Sequence, residues 1–335
     1  MSAHTPSVPN LYPEYADKSP HYEVWYGKVD LGPGRALWFR YTLLDGTRRE
    51  AAVWAILFMD GACHTGKVIA PLARAHLGNV HTPGVVIELE GMQLAQGHLH
   101  GAVGDIAWDL DFDDRGRRYA IAPDRLRRMG VAKSAYDACY QDLRMRGWLR
   151  FGEEELRVDG ATGMIGHIRG SQQAHSWVWV HCNHWDGGED AVFEALSARV
   201  DVGGRQSGRG RPSNGGVLSP PLTSLVLHQG RRSWTSSTPM DLLATRSRLD
   251  GDRWTFTARA GAALLTGAAT FDGPVALVEY LDTDGSRLWC RNSKLSDLSL
   301  RLRDPLRMID RTLRATGTAA FEIVDRNPPS RSPDL

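Results

Sequence analysis

The sequence lacks any Cys-x-x-Cys pair: its four cysteines, Cys63, Cys139, Cys182 and Cys290, are widely scattered. That excludes a zinc ribbon and a thioredoxin-type motif, and four free thiols are the expectation. It lacks an apolar run of about 18 residues, so no segment reads as a membrane span. It lacks a charge excess, since 40 Lys plus Arg face 39 Asp plus Glu for a formal net charge of +1. A general nucleic-acid binder needs a basic excess or stripe, so no nucleic-acid partner is expected. No Gly-x-Ser-x-Gly elbow occurs, which removes an α/β-hydrolase. The opening residues, Met1 to Pro9, carry neither the basic start nor the apolar core of a secretory signal, so a cytoplasmic location is expected.

What is present is ordinary globular composition, 42% apolar and 24% charged, with an unusual 11 tryptophans. Each tryptophan needs a core or a cavity wall. Residues 1–20 are polar and proline-bearing and read as an extended arm. From His21 onward, short segments alternate in character. Tyr22, Val24 and Tyr26 share one face of a strand; His21, Glu23, Trp25 and Gly27 share the other. Asp45-Gly46 marks a hairpin, and Trp54, Ile56 and Phe58 form a row on the next strand. Ile106, Trp108, Leu110 and Phe112 alternate with Asp105, Ala107, Asp109 and Asp111, a half-buried strand with one wet face.

Residues 113–147 are Arg-rich and poor in β-branched side chains, and they read as a connector, with a short helix from about Ala122 to Gly130. Strand patterns resume at Gly147 and continue to Ile323, punctuated by Asp250-Gly251, Asp272-Gly273 and Asp284-Gly285. The stretch 202–216 is Gly- and Arg-rich and reads as a flexible loop, not a P-loop. The whole predicts an all-β chain of two tandem antiparallel barrels or sandwiches: an arm at 1–20, a first β domain at 21–140 and a second at 141–335.

The segment 173–185 carries the chemistry. His175, Trp177, Trp179, His181, Asn183 and Trp185 fall on one face, and Ser176, Val178, Val180, Cys182 and His184 on the other. The second face suits packing on a neighbouring layer. The first suits a pocket wall, apolar surface with a few convergent polar atoms. No metal is expected: His181 and His184 point to opposite faces, and His175 and His181 lie roughly 20 Å apart along a strand. Carboxylic acids on pocket-type strands are Glu23, Glu194, Glu279 and Asp282, the last also placed to shape a hairpin turn. An acid within an aromatic cavity has its pKa raised by desolvation and can protonate an alkene, while aromatic faces stabilise the cation.

His21-Tyr-Glu-Val-Trp-Tyr, the runs Leu37 to Leu44 and Ala52 to Phe58, Gly166-His-Ile-Arg-Gly, Trp177 to Trp185 and Phe193 to Ala198 together resemble the two-domain lipocalin-like superfamily. That superfamily groups tocopherol cyclase, carotenoid 1,2-hydratase, AttH-type proteins and lipocalin-like Diels–Alderases. The resemblance implies two calycin-type barrels with a ligand cavity in or between them. It also implies action on prenyl, polyene or polyketide-like molecules without a redox cofactor, and no cofactor is expected. Carotenoid hydratases use a His-x-Trp and a Tyr-x-Asp pair. Here His175-Ser-Trp177 and Tyr280-Leu-Asp282 match, separated by far more chain than in that family.

These readings give a cyclase or hydratase with His175, Asp282 and Glu194 as catalytic candidates. Trp177, Trp179, His181, Asn183, Trp185 and Tyr280 are the substrate-binding candidates. The alternatives are a carrier for a lipophilic molecule, with apolar walls alone, and a surface-sugar or peptide module with exposed tryptophans. A lipophilic substrate also allows peripheral contact with a bilayer.

Overall fold

The computed structural model describes residues 11–122, 127, 132–202 and 217–335. Two curled antiparallel sheets form two tandem barrels. The first holds β1 (His21–Asp30), β2 (Ala36–Asp45), β3 (Arg49–Met59), β4 (Ala62–Pro71), β5 (His76–Asn79), β6 (Thr82–Leu89), β7 (Met92–Ala95), β8 (His98–Val103), β9 (Ile106–Asp114), β10 (Tyr119–Ala122), β11 (Ser134–Phe151) and β12 (Glu154–Gly170). The second holds β13 (Ser176–Cys182), β14 (Ala191–Arg199), β17 (Leu222–Gln229), β18 (Arg232–Ser236) and β19 to β24, after a small ladder of β15 (Asp201–Val202) with β16 (Val217–Leu218). Those last strands are β19 (Arg246–Asp250), β20 (Arg253–Ala260), β21 (Ala263–Thr270), β22 (Ala276–Leu281), β23 (Arg287–Asp304) and β24 (Ile309–Asp325). Among the described residues no helix is long and apolar enough to cross a membrane.

The halves share a plan. Each opens with a strand that pairs with its last strand, β1 with β12 and β13 with β24. Each closes with a long hairpin, strands of 18 and 17 residues in both cases. Register shifts at Asp137/Tyr140, Tyr140/Leu143, Ser293/Ser296 and Ser296/Leu298 bend these hairpins. An extra residue in one strand increases local twist, which lets a single long strand wrap around a barrel.

The expected boundary between residues 140 and 141 falls inside β11, and the first sheet continues to Gly170. The Arg-rich stretch 113–147 is therefore largely strand, not connector. Its apolar residues Ala135, Cys139, Leu143 and Met145 face inward. Its arginines are satisfied on the outer side, Arg144 by Asp142 and Arg146 by Asp113. Charge masked the alternation. Nearly all of the helix expected at 122–130, and residues 203–216 of the expected flexible loop, lie outside the described residues.

Alternation in β1 fills two different spaces. Trp25 and Val29 enter the first barrel's core, while Tyr22, Val24 and Tyr26 face the second barrel. The arm residues Leu11 and Tyr12 are packed into that same first core. In β13, Val178, Val180 and Cys182 enter the second barrel's core. Between the barrels, Trp38, Trp54, Ile56 and Phe58 of the first sheet meet Val278, Tyr280, Leu288 and Cys290 of the second. Burying each such side chain contributes about 1.5–3 kcal/mol, enough to hold the barrels together. At one edge Gly46 sits so close to the Thr283 carbonyl that an added Cβ would lie 2.1 Å from its oxygen.

Candidate active site

The barrels do not close completely on each other. Between them lies a cleft of about 1170 Å³, its open mouth included. The first sheet lines it with Tyr22, Val24 and Tyr26 of β1, Trp38 and Arg40 of β2, Tyr136 of β11 and Ile168 of β12. The second sheet contributes Trp177 and Trp179 of β13, Leu196 and Ala198 of β14, Tyr280 of β22 and Glu322 of β24. Gln172, Gln173 and Ala174, in the link between the barrels, form part of the rim. Register explains the wall: Trp177 stands opposite Ala198, Trp179 opposite Leu196, and His181 opposite Glu194.

The floor is polar. Glu194 is fully buried and sits at the end of a chain of hydroxyls, Tyr26 to Tyr136 to Glu194 Oε1. Trp179 Nε1 also donates to Oε1, at 3.0 Å. Gln141 Nε2 donates to Oε2 at 2.6 Å, and Gln141 Oε1 meets His228 Nε2 at 3.0 Å. His181 Nδ1 stands 3.5 Å from Oε2 without an aligned hydrogen bond. Burial pushes the Glu194 carboxyl up, but the adjacent His181 imidazole and the Tyr136 and Gln141 donors outweigh it, so the group is held below its ordinary value. It is a carboxylate at neutral pH. Burial pushes the Tyr26 and Tyr136 phenols up, and the Glu194 charge adds to the effect, so both stay protonated.

A second buried charge pair lies beside Trp179. Lys294 Nζ donates to Glu322 Oε1 at 2.7 Å and to Asn292 Oδ1 at 2.6 Å. It also lies 5.2 Å from the Trp179 ring and 5.8 Å from the Trp38 ring. Burial pulls the Lys294 ammonium down, against the opposing pull of Glu322. On the same wall, the Arg40 guanidinium stacks 3.8 Å above the Tyr280 ring.

The structure brings Trp177, Trp179 and Tyr280 together in the cleft wall and Glu194 beneath it, with His181 beside Glu194. It sets the other candidates apart. His175 precedes β13, stands 37% exposed near the rim, and has Asp201 at 3.9 Å. Asn183 and Trp185 follow the end of β13, where strict alternation stops. Asn183 Nδ2 donates to the Gly163 carbonyl, and Trp185 packs into the second barrel's core. Asp282 turns away from the cleft. It pairs with Arg326 at 2.8 Å and accepts from the Gln173 and Thr283 amides, clasping the rim loop. Burial pushes its carboxyl up, against those donors.

Sequence reasoning missed Tyr136, Gln141, Arg40, Lys294 and Glu322. Tyr26 lay on the Tyr22/Val24/Tyr26 face, which signalled a wall without saying of what. Tyr136 and Gln141 were hidden in the Arg-rich stretch.

No protein-family model matches the chain. Uncharacterized proteins from two Mycobacterium tuberculosis strains, CDC 1551 / Oshkosh and H37Rv, are each 25% identical to it over 217 residues, covering 64% of this chain and 61% of theirs. The chain thus spans about three fifths of the length of the curated relatives it matches. Among solved structures it is similar to CghA, with a TM-score of 0.60 and 13% identity over 98% of this chain and 95% of that one. It also matches an AttH-type protein from Nitrosomonas europaea (TM-score 0.48, 14% identity, 94% and 98% covered). A third match is kievitone hydratase from Nectria haematococca (TM-score 0.49, 10% identity, 91% and 88% covered). The fold of this chain is the two-domain lipocalin-like fold.

Proposed function

We propose that the protein is a cofactor-independent enzyme that cyclises or hydrates a hydrophobic prenyl, polyene or polyketide-like small molecule in the cleft between its barrels. The observation that carries this reading is the Tyr26–Tyr136–Glu194 chain at the floor of a largely apolar, aromatic-walled cleft. A carrier needs apolar walls alone and has no use for a hydroxyl chain that runs from its cleft to a buried carboxylate.

The proton count sets the direction of the chain. Tyr136 gives its hydrogen to Glu194, so Tyr26 gives its own to Tyr136. The Tyr26 oxygen then accepts from a substrate hydroxyl, enol or bound water. As that proton moves to Tyr26, the Tyr26 proton moves to Tyr136 and the Tyr136 proton to Glu194. The substrate oxygen gains nucleophilicity for ring closure onto an alkene conjugated to an electron-withdrawing group, or water gains it for addition. The alkene's π pair moves onto the neighbouring carbon, which takes one proton from solvent to match the one that reaches Glu194, so the product is an isomer or a hydrate. Glu194 therefore serves as proton acceptor, a role opposite to the acid that its strand position suggested. Trp177 and Trp179 hold the apolar part of the substrate in a folded conformer that brings the oxygen to the alkene. A lipophilic substrate of this kind is drawn from a bilayer surface.

The test is incubation with a panel of linear prenylated phenols, polyenes and polyketide-like chains, with no cofactor added, followed by mass analysis. A product isomeric with the substrate, or heavier by one water, supports the reading. Tight binding of the panel with every compound recovered unchanged overturns it in favour of a carrier.

A further inference from the structure

A second cleft, of about 1310 Å³ with its open side included, lies beyond the far end of β13. Asp30, Arg35, Arg144, Thr162, Asn183 and His184 are among its walls. It is more polar than the first cleft, and the substrate reading gives it no task.

Two buried side chains two residues apart bear on this cleft, Asn183 in its wall and His181 beside Glu194. Asn183 is 7% exposed and lines the second cleft, and its Oδ1 has no hydrogen-bond partner. His181, two residues earlier, is fully buried, and neither of its ring nitrogens makes an aligned hydrogen bond. Its ring lies nearly parallel to Trp179, at 13° with centroids 6.1 Å apart, and its Nδ1 is 3.5 Å from Glu194 Oε2. Thr162 Oγ1, in the same cleft wall, is a further unpartnered buried atom. Each such atom costs about 1–3 kcal/mol unless it is satisfied, so unpartnered atoms in the wall of a polar cleft and beside a buried carboxylate call for water.

The two oxygens of Glu194 divide the work. Oε1 takes the donors from the substrate side, Tyr136 and Trp179; Oε2 faces Gln141 and His181. The Gln141 link to half-buried His228 cannot pass a proton without forming an imidic acid, so it positions Glu194. An imidazole passes protons readily through its two nitrogens.

We propose that the second cleft is the water and proton entrance to Glu194, with His181 carrying the proton between Oε2 and a water held on Asn183 Oδ1. This rests on the acceptor role given to Glu194 above. The step balances. Glu194, once protonated from the substrate side, returns to carboxylate as its proton passes to His181 Nδ1. His181 then releases the Nε2 proton to the water, and bulk solvent takes it up. No bond to carbon forms or breaks, and nothing is oxidised.

The test needs no substrate. In protein with 15N-labelled histidine, exchange of the His181 Nε2 proton with solvent should slow about tenfold in Asn183→Leu, with Trp emission unchanged. A high-resolution crystal structure of the unaltered protein should show a water within hydrogen-bond distance of both Asn183 Oδ1 and His181 Nε2. Unchanged exchange in a folded Asn183→Leu overturns the proposal. So does a crystal structure in which both side chains pair directly with protein atoms around a dry gap. Either failure leaves the substrate reading standing, because that reading is judged by product formation.

Discussion

Two fully buried Glu–His pairs, one in each half, differ in how completely they are satisfied. In the first barrel, Glu23 Oε1 accepts from His167 Nε2 at 2.7 Å and from the Glu14 amide at 2.8 Å. Its Oε2 accepts from the Tyr15 amide at 3.1 Å and has His21 Nε2 at 3.2 Å. Two of these donors are arm backbone, and the Trp25 indole holds the Leu11 carbonyl nearby. Glu23 is a clasp for the arm. Glu194 takes its hydrogen bonds from side chains of both sheets, keeps an unaligned histidine at 3.5 Å, and sits under a cleft. A buried carboxylate is thus not in itself a sign of chemistry. Incomplete satisfaction next to open space is the better sign.

That contrast can be broken most sharply by matched substitutions. Glu194→Gln should lower turnover of a converted panel compound by about 10²–10⁴-fold, measured as kcat, with a smaller effect on unfolding. Glu23→Gln should do the reverse, costing about 3 kcal/mol in a denaturant titration while folded protein keeps its turnover. The same clasp predicts an acid limit. Burial pushes the Glu23 carboxyl up, but His167 and His21 overcome it and hold the group at about 2, against an ordinary 4.5. The clasp's stability is then fully present above the ordinary value. It is lost as pH falls toward about 2, a span worth about 3 kcal/mol. Circular dichroism against pH checks it, and Glu23→Gln should flatten that part of the curve.

A smaller effect concerns the wall. Trp177→Ala should weaken binding of the fluorescent probe N-phenyl-1-naphthylamine by about 1–2 kcal/mol, read by titration, and leave the unfolding midpoint little changed. The smallest concerns the contact between barrels at His184. Its hydrogen bond to Asp30, at 2.7 Å, raises the imidazole against partial burial. That contribution is present below the ordinary histidine value and is lost as pH rises through the raised one. The group is about half exposed, so only a slight loss of midpoint above neutral pH is expected. It should vanish in His184→Gln.

The fold was legible where alternation and turn chemistry were undisturbed. Trp177 and Trp179 lie in the cleft wall and Val178 and Val180 in the barrel core because side chains of β13 alternate strictly as far as Cys182. Extending the alternation to Trp185 failed because the strand had ended. The other wall, from Tyr22 to Tyr26, sits on β1, and sequence spacing does not reveal which distant faces meet. Tyr136 was illegible because its strand is bulged and its outer side carries paired charges. Tyr280 and Asp282 share a face of a strand by spacing, yet a turn at the end of β22 sends only Tyr280 into the cleft.

The most direct measurement is a crystal structure of the full chain with a linear prenylated phenol. The account predicts density between the barrels, its chain against Trp177 and Trp179 and its hydroxyl on the Tyr26 oxygen. Density inside either barrel's core, or a hydroxyl directed away from Tyr26 and Tyr136, would contradict it.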